Sequence, residues 1–293
     1  MDRSRLYVTG LWIIPDNVKR NQDHYSKLLD ATFKIVKDQN VLFYSDNDQI
    51  LVQARALSVK YNIQLFEECV KIEDLPNAEK SRQIANNGTK FKMAPFAQRL
   101  EDGTISKENG LHAAINYTSA PELNKSFAKM TQIYLSRVGL LHRAAKNYDH
   151  KEFIWFDVSV SRFNHSRDKA DFTKWKLESN RIHHYGSIMK FFGHSQPLNA
   201  SVLAGDKNAI KQLNTLFNEQ VSFFCQSGCT YPTDDENIHL LCYKTRPGLY
   251  KDVNFKPRNI AHKLVGKLIF VAGLNSFFAK ALNTELKIVE KLP

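Results

Sequence analysis

Hydrophobic positions in the first half of the chain follow two periods in turn: short continuous apolar runs, and longer stretches with an apolar stripe at helical spacing. The run from Leu6 to Ile14 is rich in β-formers and predicts a first strand, which Pro15-Asp16-Asn17 breaks. Over residues 21–36, Tyr25, Leu28, Leu29, Thr32, Phe33 and Val36 recur at helical spacing. Val41-Leu42-Phe43-Tyr44 predicts a second strand, and Ser45-Asp46-Asn47-Asp48 after it is a helix-cap cluster. Ile50, Ala54, Leu57 and Tyr61 then mark a helix over 50–61, and Ile63-Gln64-Leu65-Phe66 a third strand. Strand, helix, strand, helix, strand in so short a span implies parallel pairing through right-handed crossovers.

The pattern then loosens. Residues 71–125 are polar and carry Pro76, Gly88, Pro95, Gly103, Gly110 and Pro121, so they are expected to form an insertion, or lid, over one side of the sheet. Residues 128–146 read as a long helix with Met130, Ile133, Tyr134, Val138, Leu141 and Ala145 on its buried side. It leads into Phe153-Ile154-Trp155-Phe156, an apolar run expected to be covered on both faces. Further strands are expected at 181–192 and 200–205, and helices at 206–224 and 234–243. The fold class is α/β: a Rossmann-type mixed, mainly parallel sheet flanked by helices, with one domain over 1–253 and a basic amphipathic helical tail over 254–293.

Composition changes the picture in three ways. A formal net charge of +11 with pI near 9.4 points to an anionic partner: a nucleotide diphosphate, an anionic membrane surface or nucleic acid. A nucleic-acid-binding protein is the alternative from another functional class, but the charge is spread and no helix-turn-helix, zinc-finger or RNP signature occurs, so no nucleic acid is expected. The opening residues do not read as a secretory signal and no apolar run reaches the ~20 residues of a membrane span, so a cytoplasmic protein is expected. In the tail, Lys256, Arg258, His262, Lys263 and Lys267 precede Leu268-Ile269-Phe270-Val271-Ala272. This stretch reads either as a helix docked on the core or as a peripheral membrane contact. Cys225, Cys229, His239 and Cys242 have the ligand types of a zinc site, but their spacing matches no zinc module and ordinary thiols are expected.

Two places carry candidate chemistry. Asp157 ends the apolar run at 153–156, and in open α/β sheets ligands bind just beyond the carboxyl ends of strands. The plainer reading is an Asp that ends a strand and starts a turn. Around Tyr231-Pro232-Thr233-Asp234-Asp235-Glu236, acids gather at a helix start; the helix dipole alone favours them there, and the functional alternative is a general base on an acceptor hydroxyl.

Read in order, Val8-Thr9-Gly10, Arg20 and Tyr25, Val41-Leu42-Phe43-Tyr44-Ser45-Asp46, the long helix into Phe153-Ile154-Trp155-Phe156-Asp157, Ala204-Gly205 and Thr233-Asp234-Asp235-Glu236 resemble the HtrL/YibB-type family of bacterial glycosyltransferases. More broadly they resemble the GT-A nucleotide-sugar transferases, over roughly Leu6 to Tyr250. The resemblance implies a GT-A-like fold that transfers a sugar from a nucleotide-sugar donor to a glycan or lipid-linked acceptor in polysaccharide biosynthesis. Thr9, Gly10 and Asp46 would contact the nucleoside, and Lys129 and Arg137 the phosphates or sugar hydroxyls. Asp157 would be the first acid of a DxD element holding Mn²⁺ or Mg²⁺, and Asp235 or Glu236 the base. This chain reads Asp157-Val158-Ser159, so a serine stands where the second acid would be, and His262 is the candidate to complete the ligands. Without a metal, Lys and Arg would neutralise the leaving diphosphate. A degenerate transferase fold that binds without turnover is the further alternative.

Overall fold

The apolar runs become strands because helices cover them on both sides. The computed structural model describes residues 4–14, 22–88, 121–161, 172–186, 190–191, 194–195, 198–227 and 235–253. The strands are β1 (Arg5–Gly10), β2 (Asn40–Ser45), β3 (Gln64–Cys69), β4 (Glu152–Phe156), β5 (Ile182–Tyr185), β6 (Lys190–Phe191), β7 (His194–Ser195), β8 (Asn199–Asp206) and β9 (Tyr250–Asp252). Seven of them form one sheet in the order β3-β2-β1-β4-β8-β5-β9, while β6 and β7 pair separately. All adjacent pairs in the large sheet are parallel except the two that β8 makes, with β4 and with β5. The expected Rossmann-type mixed, mainly parallel sheet is therefore present, with one antiparallel strand beside its centre.

Six helices flank it among the described residues: α1 (Gln22–Ile35), α2 (Asp48–Lys60), α3 (Ala78–Gly88), α4 (Pro121–Asn147), α5 (Lys207–Gln226) and α6 (Asp235–Thr245). Alternation along each strand sends side chains to opposite layers. Tyr7, Val41, Phe43, Ile154, Phe156, Val202 and Ala204 pack with Leu29 and Phe33 of α1, Val36 just after it, and Ile50, Ala54 and Leu57 of α2. Leu6, Val8, Leu42, Tyr44, Phe153, Trp155 and Leu203 pack with Leu135, Val138 and Leu141 of α4, Ile210, Leu213 and Phe217 of α5, and Ile238 of α6. The chain is thus three layers deep with β4 at its centre. Phe153, Ile154, Trp155 and Phe156 are all fully buried, each contributing roughly 1.5–3 kcal/mol by removal from water.

Differences from the sequence reading have local causes. Helix α4 starts at Pro121 rather than 128, since proline is well suited to a first helical position. The strand expected over 181–192 divides: β5 ends at Tyr185 after a register shift, and Gly186 follows, where a Cβ would lie 2.6 Å from Asp252 Oδ2. The three-residue β9, which pairs with β5, has no periodic signature long enough to read. Within the expected insertion, residues 78–88 form α3, whose Ile84 and Ala85 join the core, and residues 89–120 lie outside the described ones. The expected tail over 254–293 lies outside them as well. Among the described residues no helix is long and apolar enough to cross a membrane.

Candidate functional site

Strand order reverses between β1 and β4: the chain runs from β1 outward through β2 to β3 on one side, and resumes at β4 on the other. Such a switch point opens a crevice at the carboxyl ends of the two strands, the usual ligand position in open α/β sheets. Leu6 pairs with Phe153 and Val8 with Trp155, so two residues further on Gly10 and Asp157 stand at the rim, on the α4 side of the sheet. Thr9 alternates to the α1 side and is fully buried. Gly10 is required by a close approach: a Cβ there would lie 2.5 Å from Trp12 Cη2 and 3.0 Å from the Tyr44 carbonyl oxygen. The Trp12 ring is fixed over it by donation from Nε1 to the Val70 carbonyl at 2.8 Å.

Asp157 is held from all sides. Its N–H donates to the Ser201 carbonyl (2.9 Å), and its own carbonyl accepts from Val160 N–H (2.9 Å), closing a turn directly after β4. That turn is tied to α1, where Thr32 Oγ1 donates to the Val158 carbonyl (2.7 Å). The carboxylate accepts from Trp155 Nε1 (3.2 Å), two residues back on the same strand face, and from Arg137 Nη2 at 3.1 and 3.2 Å. Arg137 projects from α4, and its Nη1 donates to Asp235 Oδ2 at 2.7 Å. One guanidinium therefore joins an acid at the end of β4 to an acid at the start of α6. The side chains of Arg137, Asp157 and Asp235 are 11%, 11% and 4% exposed. The Tyr134 ring, one turn earlier on α4, lies under the guanidinium at 4.7 Å.

Burial opposes the guanidinium's charge, but Asp157 and Asp235 outweigh it, so its pKa is raised still further. One positive and two negative charges leave the triad at −1. Behind it, His239 of α6 is fully buried, with Nδ1 at 3.2 Å from the Tyr250 hydroxyl. Burial first, then His184 and Arg137, push its pKa down to about 3, so the ring is neutral. His184 is likewise lowered, chiefly by burial.

The other expected residues spread along the crevice. Glu236, half-buried, accepts from the Ala200 N–H at 3.3 Å, which places it beside β8. Asp46 stands exposed after β2. Desolvation raises its carboxyl pKa and Glu73 adds to this, while Lys129 and a hydrogen bond from the Ile72 backbone oppose it. Lys129 thus lies by the β2 end of the crevice, two turns or so of α4 from Arg137. Ser159 is buried in the turn after Asp157. His262 lies outside the described residues, as do Arg20, Cys229, Thr233 and Asp234. Cys225 and Cys242 are buried and unpaired as thiols, Cys225 Sγ meeting the Lys80 carbonyl at 3.5 Å.

The ligand chemistry for a divalent ion does not fit what is described. No three His, Cys, Asp or Glu side chains gather as a ligand set among the described residues. Asp157 and Asp235 already face a cation in Arg137. Sequence reasoning put Trp155 in the strand and Tyr134 on the buried side of the helix without giving either a role at the site, although period two from Asp157 and period three from Arg137 point at them.

No family model matches the chain, and no curated protein is similar to it in sequence, so the HtrL/YibB-type resemblance gains no support there. Among solved structures, core-mannan synthase A from Aspergillus fumigatus, in its Mn/GDP form, is similar at a TM-score of 0.44 and 11% identity. The match covers 85% of this chain and 70% of that one. A likeness this distant carries no functional inference.

Proposed function

We propose that the protein is a glycosyltransferase that moves a sugar from a nucleotide diphosphate sugar to a hydroxyl of a glycan or lipid-linked acceptor. The observation that carries this reading is the switch-point crevice, where Thr9 and Gly10 end β1, Asp157 ends β4, and Arg137 ties Asp157 to Asp235. Backbone and small residues on the β1 side suit a planar nucleoside. Fixed acids on the β4 side suit a hydroxyl-rich sugar. Lys129, which acts on the Asp46 carboxyl after β2, is the candidate cation for the diphosphate.

In the reaction, the acceptor oxygen forms a bond to the anomeric carbon as the bond from that carbon to the phosphate oxygen breaks. The electron pair leaves with the nucleoside diphosphate, and the acceptor proton passes to a carboxylate. Of the two acids at the start of α6, Glu236 is the better base, because Asp235 is buried against Arg137.

The test is a donor screen by thermal shift and by release of the free nucleotide, using UDP-, GDP- and CMP-linked sugars. A ligand at about 100 times its dissociation constant should stabilise the fold by roughly 2.7 kcal/mol. Stabilisation and turnover with one nucleotide family, both lost in Asp157→Ala, are expected. Silence with all donors would overturn the reading.

A further inference from the structure

We infer that Arg137 is the resident cation of the Asp157–Asp235 pair, so that Asp157 acts as a hydrogen-bond acceptor for the donor's sugar hydroxyls and not as a ligand for a divalent ion. This inference rests on the reading of the crevice as a nucleotide-sugar site. Three observations carry it.

Both carboxylates point at one guanidinium, at 3.1 Å and 2.7 Å, and that guanidinium is itself fixed over the Tyr134 ring. A metal would have to displace it from a nearly buried position. The residue two after Asp157 is Ser159, which is buried in the turn, so the Asp-x-Ser element offers a single carboxylate. Finally, a carboxylate has about four acceptor positions. Trp155 Nε1 and Arg137 Nη2 leave part of that capacity on the exposed side of Asp157.

Charge selects the occupant. A triad of net charge −1 disfavours phosphate oxygens close to it and favours neutral O–H donors. The sugar then sits over the β4 end of the crevice, at Asp157.

The experiment measures Kd by calorimetry for UDP, GDP and their sugar conjugates, on the wild type and Asp157→Asn, in EDTA and in Mn²⁺. In parallel, the Mn²⁺ electron paramagnetic resonance signal is followed on the wild type with Mn²⁺ alone and with the nucleoside diphosphate. EDTA is expected to leave nucleoside diphosphate binding within about twofold. Asp157→Asn should leave it unchanged as well, yet weaken the sugar conjugate by roughly 10- to 100-fold, the loss of a hydrogen bond to a charged acceptor. The Mn²⁺ signal should keep its free amplitude.

A tenfold loss of nucleoside diphosphate affinity both in EDTA and in Asp157→Asn would overturn the inference, as would a loss of the Mn²⁺ signal on adding the wild-type protein. The resonance arm needs only folded wild-type protein, so it decides the metal question even if the variant does not fold. Failure of every nucleotide to bind would refute the proposed function, and the sugar-acceptor role with it, whatever the Mn²⁺ signal does.

Discussion

The two ends of the central strand pair β1 and β4 each carry a partly buried arginine, and the two are built differently. At the amino end, Arg5 donates from Nε to Glu152 (2.5 Å), from Nη1 to the Thr173 carbonyl (2.8 Å) and from Nη2 to the Trp175 carbonyl (2.6 Å). One cation meets one acid, and every nitrogen has a partner. At the carboxyl end, Arg137 meets two acids, and its buried Nε has no partner among the described residues. The first arrangement is electrically balanced and closes the sheet. The second sets two carboxylates against one guanidinium at the carboxyl ends of the strands.

The comparison breaks first, and most severely, at the arginines. Arg137→Ala leaves two nearly buried carboxylates without their cation and should cost about 3–5 kcal/mol in urea unfolding. Arg5→Ala leaves a single acid that is 25% exposed. About 1–3 kcal/mol is expected there. Equal losses would show that the two ends do the same structural job.

Acid should loosen the carboxyl end. His239 has a folded pKa of about 3, far below the unfolded value near 6.5, because burial and Arg137 disfavour its charged form. A lowered histidine pKa means that the unfolded chain binds the proton more readily, so stability is complete above pH ~6.5 and declines as pH falls toward the folded value. Across that window the loss is on the order of a few kcal/mol. Unfolding midpoints measured from pH 7 to 4 should fall more steeply in the wild type than in His239→Gln. Parallel curves would remove His239 as the source.

How much of this was legible in the sequence depends on range. Strands β1, β2 and β4 and helices α1, α2, α4 and α5 follow from periodicity, because each buries a face that local spacing reveals. Asp157, Arg137 and Asp235 were each found as separate candidates. Their meeting was not, since Arg137 lies 98 residues from Asp235 in the chain and no local pattern encodes that contact. The placement of β8 as an antiparallel strand beside β4 was equally hidden: its sequence is apolar on both faces in either direction. Asp157 itself reads as either a strand end or a ligand, and the structure places it directly after β4, in a turn closed by Val160.

A smaller effect sharpens the role of the crevice floor. Gly10→Ala should cost about 1–3 kcal/mol, because the methyl would sit inside the Trp12 ring. Shortening the partner should recover part of it, so the loss in Gly10→Ala/Trp12→Leu should be less than the sum of the single losses. Strict additivity would mean that the ring is not what Gly10 accommodates.

The smallest expected change in stability is the most informative about the ligand. Thr9 is fully buried, and its Oγ1 has no partner among the described residues. Two positions beyond Thr9's partner Phe43 on β2, Ser45 Oγ by contrast donates to the Leu11 carbonyl at 2.8 Å. Removing a satisfied hydroxyl should destabilise, so Ser45→Ala is expected to lose about 1 kcal/mol. Removing an unsatisfied one relieves a desolvation cost, so Thr9→Val should leave stability unchanged or raise it by up to ~1 kcal/mol. If the nucleoside reaches Thr9, the same variant should weaken donor binding several-fold while the unfolding midpoint holds. A variant that loses stability in step with Ser45→Ala would show that Thr9 already has a partner in the folded protein, and would take it off the nucleotide side of the crevice.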